Sequence, residues 1–329
     1  ARWTERLGWT PERTRMALAT IFAVALIAIS CMATAVAEKD RSGLLIQLHL
    51  AAVVILALLL VRWRPAFATV LALAMLALGG MDALKTTLAG DRSRSYFGIY
   101  TVRDVGDTAR TLAHGTTLHG IQLQTRGLEL EPTSYYGRKS GIGLALGAGD
   151  TLLGPRANVG IVGLGVGTLA CYRTPGQRWT FYEIDPAVLA YSRGGQFTFV
   201  ERCAPDAAMV IGDARLELAK APAAAYDLLA IDAFSSDAVP LHLLTDEAFK
   251  VYLRALAPEG LLLVHISNRY VDLAPALAAA ARANGLAAIK RDDRGAKPPR
   301  TRSLWIAMAR EPARLEALQK ASEVEWKPL

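Results

Sequence analysis

The chain has 329 residues and a formal net charge of +7, and 52% of its residues are hydrophobic against 20% that are charged. Its length accommodates two domains, and its composition excludes a disordered or collagen-like chain. The apolar excess also argues against a simple soluble enzyme, because it is concentrated in residues 1–90.

Three apolar segments in this region predict membrane helices. They span residues 16–37, 44–61 and 65–84, and the last contains a single charge, Asp82. Each is close to the roughly 20 residues that a helix needs to cross a hydrocarbon core. We therefore predict a transmembrane region of three helices over residues 1–90. A signal peptide is the alternative for the first segment, because arginines precede it and Ala35-Val36-Ala37 has the small-residue form of a cleavage site.

The charge distribution limits the classes of partner, and the cysteines indicate the redox state of the cellular compartment. The positive charge is dispersed rather than gathered in a basic run with interleaved aromatics, so we predict no nucleic acid as partner. The lipid bilayer expected as a partner follows from the three apolar segments. Cys31, Cys171 and Cys203 show neither metal-ligand spacing nor a paired framework. Cys171 and Cys203 are therefore expected to be reduced thiols in a non-oxidising compartment.

The composition becomes that of a soluble domain after residue 90. Short β-like runs at 96–103, 110–113 and 121–124 predict a small β subdomain over residues 91–150. Over residues 151–329, apolar strands alternate with helices, which predicts an α/β, doubly wound parallel sheet of the methyltransferase-like Rossmann type, closed by a hairpin. The strands are predicted at 159–162, 180–183, 208–211, 228–231, 261–266 and 304–309, the helices at 186–193, 245–256 and 274–284, and a polar loop at 292–301.

A glycine-rich turn after the first strand of this sheet predicts a nucleoside site. Gly163, Gly165 and Gly167 allow a tight turn and a close approach of a ligand before a helix begins. Glu183 follows at the end of the second strand, where a carboxylate can accept hydrogen bonds from both ribose hydroxyls. Asp213 ends the third strand, where it could accept from an adenine amino group. Alternatively, both carboxylates only cap helices.

The residue after the glycine turn favours one nucleoside over another. Thr168 stands where the dinucleotide pattern has its third glycine, which favours an S-adenosylmethionine-type nucleoside over NAD. At the end of the fourth strand, Asp232 and Asp237 could hold a cationic amine and remove its proton as it attacks, or serve as turn residues of a loop. No metal site is predicted, because His119, His242 and His265 share no ligand spacing.

Residues 163–246 resemble the spermidine synthase (polyamine aminopropyltransferase) family, and the whole chain resembles its membrane-embedded bacterial branch. The segments Tyr-Phe-Gly-Ile-Tyr at 96–100, Leu-Ala-His-Gly-Thr-Thr-Leu-His-Gly at 112–120 and Pro-Thr-Ser-Tyr-Tyr-Gly at 132–137 resemble the family's N-terminal β segment and the mouth of its active site. The resemblance implies transfer of an aminopropyl group from decarboxylated S-adenosylmethionine to a polyamine such as putrescine.

The resemblance also implies a role for individual residues. The implied nucleoside-binding residues are Gly163, Gly165, Gly167, Glu183 and Asp213, the implied catalytic residues are Asp232 as general base and Asp237 on the amine, and the implied substrate residues are Tyr135, Tyr136 and His119. Gly165 stands where soluble members carry an aspartate that holds the donor's amino group. An intact S-adenosylmethionine would therefore not be repelled there, and a methyltransferase-like reaction or a nucleoside-sensing accessory of a membrane transporter remain alternatives.

The expected membrane orientation of the chain rests on where the donor nucleoside is made, rather than on the distribution of Lys and Arg. Lys and Arg are almost evenly divided between the two sides of the predicted spans. Because the donor nucleoside is made in the cytoplasm, we expect a multi-pass protein of the inner membrane whose catalytic domain faces the cytoplasm. We also expect a homodimer.

Overall fold

The computed structural model describes residues 10–37, 43–115, 117–234, 240–268, 271–295 and 297–329. The internal contacts of the chain divide it into two compact units, Ala1–Arg92 and Ser93–Leu329. The division of the second unit into residues 91–150 and 151–329 stays a prediction.

Four helices form the described part of the first unit: α1 (Pro11–Ala37), α2 (Gly43–Leu60), α3 (Arg64–Met75) and α4 (Met81–Leu88). Helices α1 to α3 share a small apolar core, whereas large apolar side chains such as Leu48 and Leu58 are more than half exposed. By length and composition, Pro11–Val36 and Arg64–Leu88 could each cross a membrane, and Leu44–Leu60 is shorter. Core helices and signal sequences share these properties, so the membrane role of this unit stays a prediction.

The third predicted span is not one continuous α-helix. A π-helical turn, Leu76–Gly80, separates α3 from α4, and Leu78 and Gly79 leave the helical conformation within it. Gly79 has φ +109°, which an L side chain rarely adopts. The expected helix over residues 65–84 is therefore corrected to two helices joined at the glycine pair, and Asp82 lies in the first turn of α4.

The second unit begins with a four-stranded sheet in the order β1-β2-β3-β4, in which β2, β3 and β4 pair antiparallel. Its strands are β1 (Arg92–Arg94), β2 (Ile99–Val105), β3 (Ala109–His114) and β4 (Thr117–Leu123). Tyr100, Val102 and Leu112 are buried in one core together with residues of the main sheet. The small sheet therefore packs on the large one within this unit.

The main sheet has eight strands in the order β12-β10-β11-β9-β8-β5-β6-β7. The strands are β5 (Asn158–Val162), β6 (Arg178–Glu183), β7 (Ala208–Ile211), β8 (Tyr226–Ile231), β9 (Leu256–His265), β10 (Ala287–Asp293), β11 (Ser303–Ala309) and β12 (Lys327–Pro328). Strands β5 to β9 are parallel, and β10 to β12 pair antiparallel. The predicted Rossmann-like fold is confirmed, with a mixed sheet.

Each face of this sheet is covered by its own hydrophobic core. Ile161 and Phe181 are buried on one face, and their neighbours Val162 and Tyr182 on the other. The covering helices are α5 (Gly141–Gly147), α6 (Gly149–Leu152), α7 (Pro186–Arg193), α8 (Phe199–Cys203), α9 (Ala214–Lys220), α10 (Asp246–Ala255), α11 (Ala274–Ala283) and α12 (Pro312–Ser322). The chain order reverses between β5 and β8, and ligands bind at the carboxyl ends of strands at such a switch point.

Two expectations about local structure are wrong. The glycine turn leads into a short 3-10 turn, Thr168–Tyr172, instead of an α-helix. The predicted loop at 292–301 begins inside β10. The sequence of this strand, Ala-Ala-Ile-Lys-Arg-Asp-Asp, ends in four charged residues and therefore lacks the apolar pattern by which a strand is predicted. Charged side chains are tolerated there because β10 lies near the edge of the sheet, covered only by the two-residue β12.

Cys171 and Cys203 form a disulfide, which corrects the expectation of two reduced thiols. Cys171 lies in the 3-10 turn and Cys203 ends α8, and their Cα atoms are 4.9 Å apart although 32 residues separate them in sequence. Spacing could not show this pairing, because it depends on α8 packing against the turn. Cys31 is the free cysteine of the described residues.

Candidate functional site

Two adjoining cavities open at the carboxyl edge of the main sheet. The inner cavity has a volume of about 280 Å³ and lies beyond β5, β6, β7 and β8; the outer cavity has a volume of about 1260 Å³ and lies beyond β9, β10 and β11. His119, Tyr135 and Phe234 line both cavities. Six more of the predicted site residues line the inner cavity: Gly163, Gly165, Glu183, Asp213, Asp232 and Tyr136. His242, which was not predicted to belong to the site, lines it as well.

Close backbone contacts leave no room for a side chain at two positions of the glycine turn, Gly163 and Gly165. Gly163 has φ +97°, and a Cβ there would lie 2.3 Å from the carbonyl oxygen of Asp232. Gly165 has φ +53°, and its Cβ would lie 2.8 Å from the carbonyl oxygen of His119. Only glycine fits either position, so the backbone itself faces the inner cavity. Gly167 instead packs against Val200, where a Cβ would lie 2.5 Å from Cγ2.

Glu183 fixes the glycine turn to the end of β6. Its two carboxylate oxygens accept from the backbone N–H groups of Leu164 and Asp185, each at 3.0 Å. Burial raises the pKa of Glu183, and these hydrogen bonds work in the opposite direction. The helix cap of α7 is Asp185, whose carboxylate accepts from Ala187 N–H at 2.9 Å. Glu183 is therefore not a helix cap.

Asp213 does cap a helix. One of its carboxylate oxygens accepts from Leu216 N–H at 3.1 Å in the first turn of α9, and the other lies 2.9 Å from His242 Nε2. The capping alternative thus holds for this residue, which also lines the inner cavity. The interaction with His242 orients the carboxylate, and the sequence did not indicate it.

Asp232 is the most enclosed charged group at this edge, with 1% of its side chain exposed. Tyr136 Oη donates to Oδ2 at 2.5 Å, and His265 Nδ1 lies 2.6 Å from Oδ1. Burial, followed by the charge of Asp232, raises the pKa of Tyr136 well above its usual value. The phenol therefore stays protonated and donates, and each carboxylate oxygen keeps a lone pair for a ligand.

The surroundings of His265 assign its tautomer. Its Nε2 lies 2.7 Å from Ser267 Oγ, and this oxygen accepts from Leu304 N–H at 2.8 Å. Because the carboxylate of Asp232 only accepts, the ring proton that faces it lies on Nδ1, and the Ser267 hydroxyl can donate to Nε2. Trp305 stacks on the imidazole at a centroid distance of 4.6 Å and an interplanar angle of 10°. His265 is thereby held in one orientation.

The structure brings most of the predicted site together and adds three residues, His242, His265 and Ser267. Tyr135 lines both cavities, as expected for the wall of a channel, whereas the hydroxyl of Tyr136 is hydrogen-bonded to Asp232. Asp237 lies outside the described residues. His265 and Ser267 were missed, although the position of His265 at the carboxyl end of β9, beside β8, was a usable signal. Within the described ranges, no cluster of three His, Cys, Asp or Glu side chains could hold a metal ion.

Several solved structures are similar to this chain. A probable spermidine synthase from Corynebacterium glutamicum is 20% identical, with 72% of this chain and 90% of that chain covered and a TM-score of 0.55. Spermidine synthase from Thermotoga maritima is 14% identical, with 69% and 74% covered and a TM-score of 0.49. The human methyltransferase-like protein 13 in complex with SAH is 20% identical, with 56% and 90% covered and a TM-score of 0.42.

No protein-family profile and no curated protein matches the chain. At the identity of the Corynebacterium protein, the similarity establishes a spermidine synthase-like, Rossmann-type fold and no activity.

The close approach of the glycine turn to Asp232 predicts a large effect of one methyl group. Gly163→Ala should lower the free energy of unfolding by about 3 kcal/mol or more, since it adds a clash to a left-handed conformation. Gly154→Ala is the matched control, because Gly154 has φ +86° with open space around its Cβ and should lose only about 1–2 kcal/mol. Urea denaturation measures both, and equal losses would show that the turn does not depend on this contact.

Proposed function

We propose that the protein is a transferase that moves an aminopropyl group from decarboxylated S-adenosylmethionine to an amine, for which the family resemblance suggests a polyamine such as putrescine. The observation that carries this proposal is the buried carboxylate of Asp232, which borders a cavity enclosed by Glu183 and the glycine turn. A base at the end of β8 and a ribose acceptor at the end of β6 are placed as this reaction requires.

The donor would occupy the inner cavity. Its ribose hydroxyls would donate to Glu183, whose oxygens each retain a lone pair beyond the hydrogen bonds to Leu164 and Asp185. Its adenine would lie toward Asp213 and Ala214, and the glycine turn allows the nucleoside to approach the backbone closely. The sulfonium end would then point toward Asp232 and Tyr135, where the two cavities meet.

The chemical step is a single displacement. The acceptor's amine nitrogen attacks the propyl carbon bonded to sulfur, the new C–N bond forms, and the C–S bond breaks with its electron pair going to sulfur. Methylthioadenosine leaves as a neutral thioether, and the ammonium proton passes to Asp232. Tyr136 and His265 position this carboxylate by donating to both of its oxygens.

Asp232→Asn should lower kcat by about 10²- to 10⁴-fold, because an amide cannot take the proton. Methylthioadenosine binding should stay within about twofold, since Glu183 and the glycine turn are unchanged. Asp206→Asn is the control, because this exposed aspartate pairs with Arg173 away from both cavities. Steady-state rates and calorimetry give the two quantities, and a variant that keeps more than half of its rate would exclude Asp232 as the base.

Glu183→Gln should weaken methylthioadenosine binding by about 1.5–3 kcal/mol, the value of a lost charge-assisted hydrogen bond. The affinity of the wild type should fall as the pH is lowered, because a protonated Glu183 loses its charge-assisted hydrogen bonds to the ribose. Burial raises the pKa of Glu183, so this fall should begin at a higher pH than it would with an ordinary glutamate. The exposed Glu201→Gln serves as control. Calorimetry across pH tests both points, and an unchanged affinity would place the ribose elsewhere.

A second candidate follows from Gly165. No side chain fits there, so the turn cannot carry the aspartate that would hold the donor's amino group in soluble members. Intact S-adenosylmethionine, with its own carboxylate, would then be accepted, and the reaction would be a methyl or other sulfonium transfer. The nucleoside product separates the two candidates by mass spectrometry: methylthioadenosine for aminopropyl transfer, S-adenosylhomocysteine for methyl transfer.

We further propose a multi-pass protein of the inner membrane whose second unit faces the cytoplasm, where the donor is made. The apolar helices over Pro11–Val36 and Arg64–Leu88 support this proposal.

Ala321→Cys, introduced on a background without the native cysteines, should resist a membrane-impermeant maleimide in intact cells and react after permeabilisation. Ala321 is exposed on α12, so access is set by the side of the membrane. Labelling of the introduced cysteine in intact cells would place the unit outside and make a cytoplasmic transferase untenable.

A further inference from the structure

The inner cavity carries negative charge that no Lys or Arg opposes. Its described lining residues include three carboxylates, Glu183, Asp213 and Asp232, and three histidines, but neither Lys nor Arg. A cleft lined by one sign of charge attracts ligands of the opposite sign. The phosphates of a nucleotide or dinucleotide would be repelled here, and an uncharged nucleoside would gain little from the field. The charge of this cavity therefore favours a cationic nucleoside.

Aromatic rings border the most deeply buried of these carboxylates. Tyr136 and His265 donate to Asp232. The ring of Tyr135 lies 4.4 Å from that of Tyr136 and 4.9 Å from that of His265, measured between centroids. The ring of Phe234 lies 4.9 Å from that of His265. The anion at the junction of the two cavities is thus bordered by four rings.

Each of these four rings is uncharged. Burial, followed by the charge of Asp232, raises the pKa of both Tyr135 and Tyr136, so the two phenols keep their protons. His265 is in its neutral tautomer, in which Nδ1–H donates to Asp232 and Nε2 accepts from Ser267. The net charge of the group is therefore that of Asp232 alone, and the faces of the rings add to its attraction for a cation.

A sulfonium ion is recognised by its charge, because it has no N–H or O–H group with which to donate a hydrogen bond. Its positive charge interacts instead with the faces of aromatic rings and with a nearby anion. Tyr135 and Phe234 line both cavities, and so they border the position proposed for the sulfur of the donor.

The strand order shows that a nucleoside spans the required distance. Glu183 ends β6 and Asp232 follows β8, and β5 lies between these two strands. The two strand ends are therefore two strand spacings apart, about 10 Å. A ribose that carries sulfur on its terminal carbon bridges this gap, with a hydrogen bond to Glu183 at one end and van der Waals contact with the rings at the other.

We infer that Tyr135 and Phe234 are specificity-determining residues that, together with Asp232, select a sulfonium nucleoside over its neutral thioether. This inference rests on the proposed function, because it concerns the same nucleoside site, and it applies to decarboxylated and intact donors alike. The displacement moves the electron pair of the broken C–S bond to sulfur, so the product loses the charge that the rings bind. Methylthioadenosine is then held more weakly than the donor, which favours its release.

Methylthioadenosine and its dimethylsulfonium analogue form a matched pair of probes, because they differ only by one methyl group and the positive charge on sulfur. Calorimetry with the wild type should give a Kd at least about 10-fold lower for the sulfonium, as expected for cation–π contacts out of water. Tyr135→Leu and Phe234→Leu replace a ring by an apolar side chain, and each should reduce this preference several-fold, chiefly by weakening the binding of the sulfonium.

Two further variants serve as controls. Tyr135→Phe keeps the ring and should keep the preference, which separates the effect of the ring face from that of the hydroxyl. Tyr96→Leu removes a ring that is 96% exposed and lines neither cavity, and it should bind both nucleosides as the wild type does. Thermal melting checks that each variant is folded, and Phe234→Leu alone provides the test if Tyr135→Leu does not fold.

The outcomes separate this inference from the proposed reaction. Equal affinities for the two nucleosides, or a preference that survives in the leucine variants, would overturn the inference and leave the proposed function standing. A sulfonium preference that depends on the rings, without any group transfer, would support the inference and refute only the reaction. If neither nucleoside binds, both fail.

Discussion

The candidate site depends on the burial of one negative charge. A carboxylate as enclosed as that of Asp232 is stable only with hydrogen-bond donors on its oxygens, and Tyr136 and His265 provide them. Each donor comes from a different part of the second unit: Tyr136 precedes the main sheet in the chain, and His265 ends β9. The carbonyl of the same aspartate also restricts Gly163. The glycine turn, the segment between the two sheets and the end of β9 therefore converge on this residue.

The two cavities differ in what they can hold. The inner cavity is built from backbone, carboxylates and aromatic rings, which suits a nucleoside with hydroxyl donors. The outer cavity is larger and is bordered by the antiparallel strands that extend the sheet beyond β9. The proposed nucleoside site therefore lies on the parallel strands, and the antiparallel strands border the larger cavity beside it.

The sequence predicted the parallel strands well, because each is a short apolar run bounded by turn residues, and the glycine turn located the ligand edge. It failed where structure depends on distant packing. The Cys171–Cys203 bridge and the contact between Asp232 and His265 join residues about 30 positions apart, and no local pattern encodes them. Strand β10 was missed because its charged end resembles a loop.

The pairing of β10 with β12 has a consequence for the C-terminus of the chain. Strand β12 is two residues long, and one of its two residues places a charge against a like charge. Its attachment therefore depends on the apolar side chains beside it, because Trp326 is buried in the core on one face of the main sheet and Leu329 packs on the core of the other face. Raising the salt concentration, which screens Lys327 and its cross-strand partner Lys290, should therefore tighten this segment instead of releasing it.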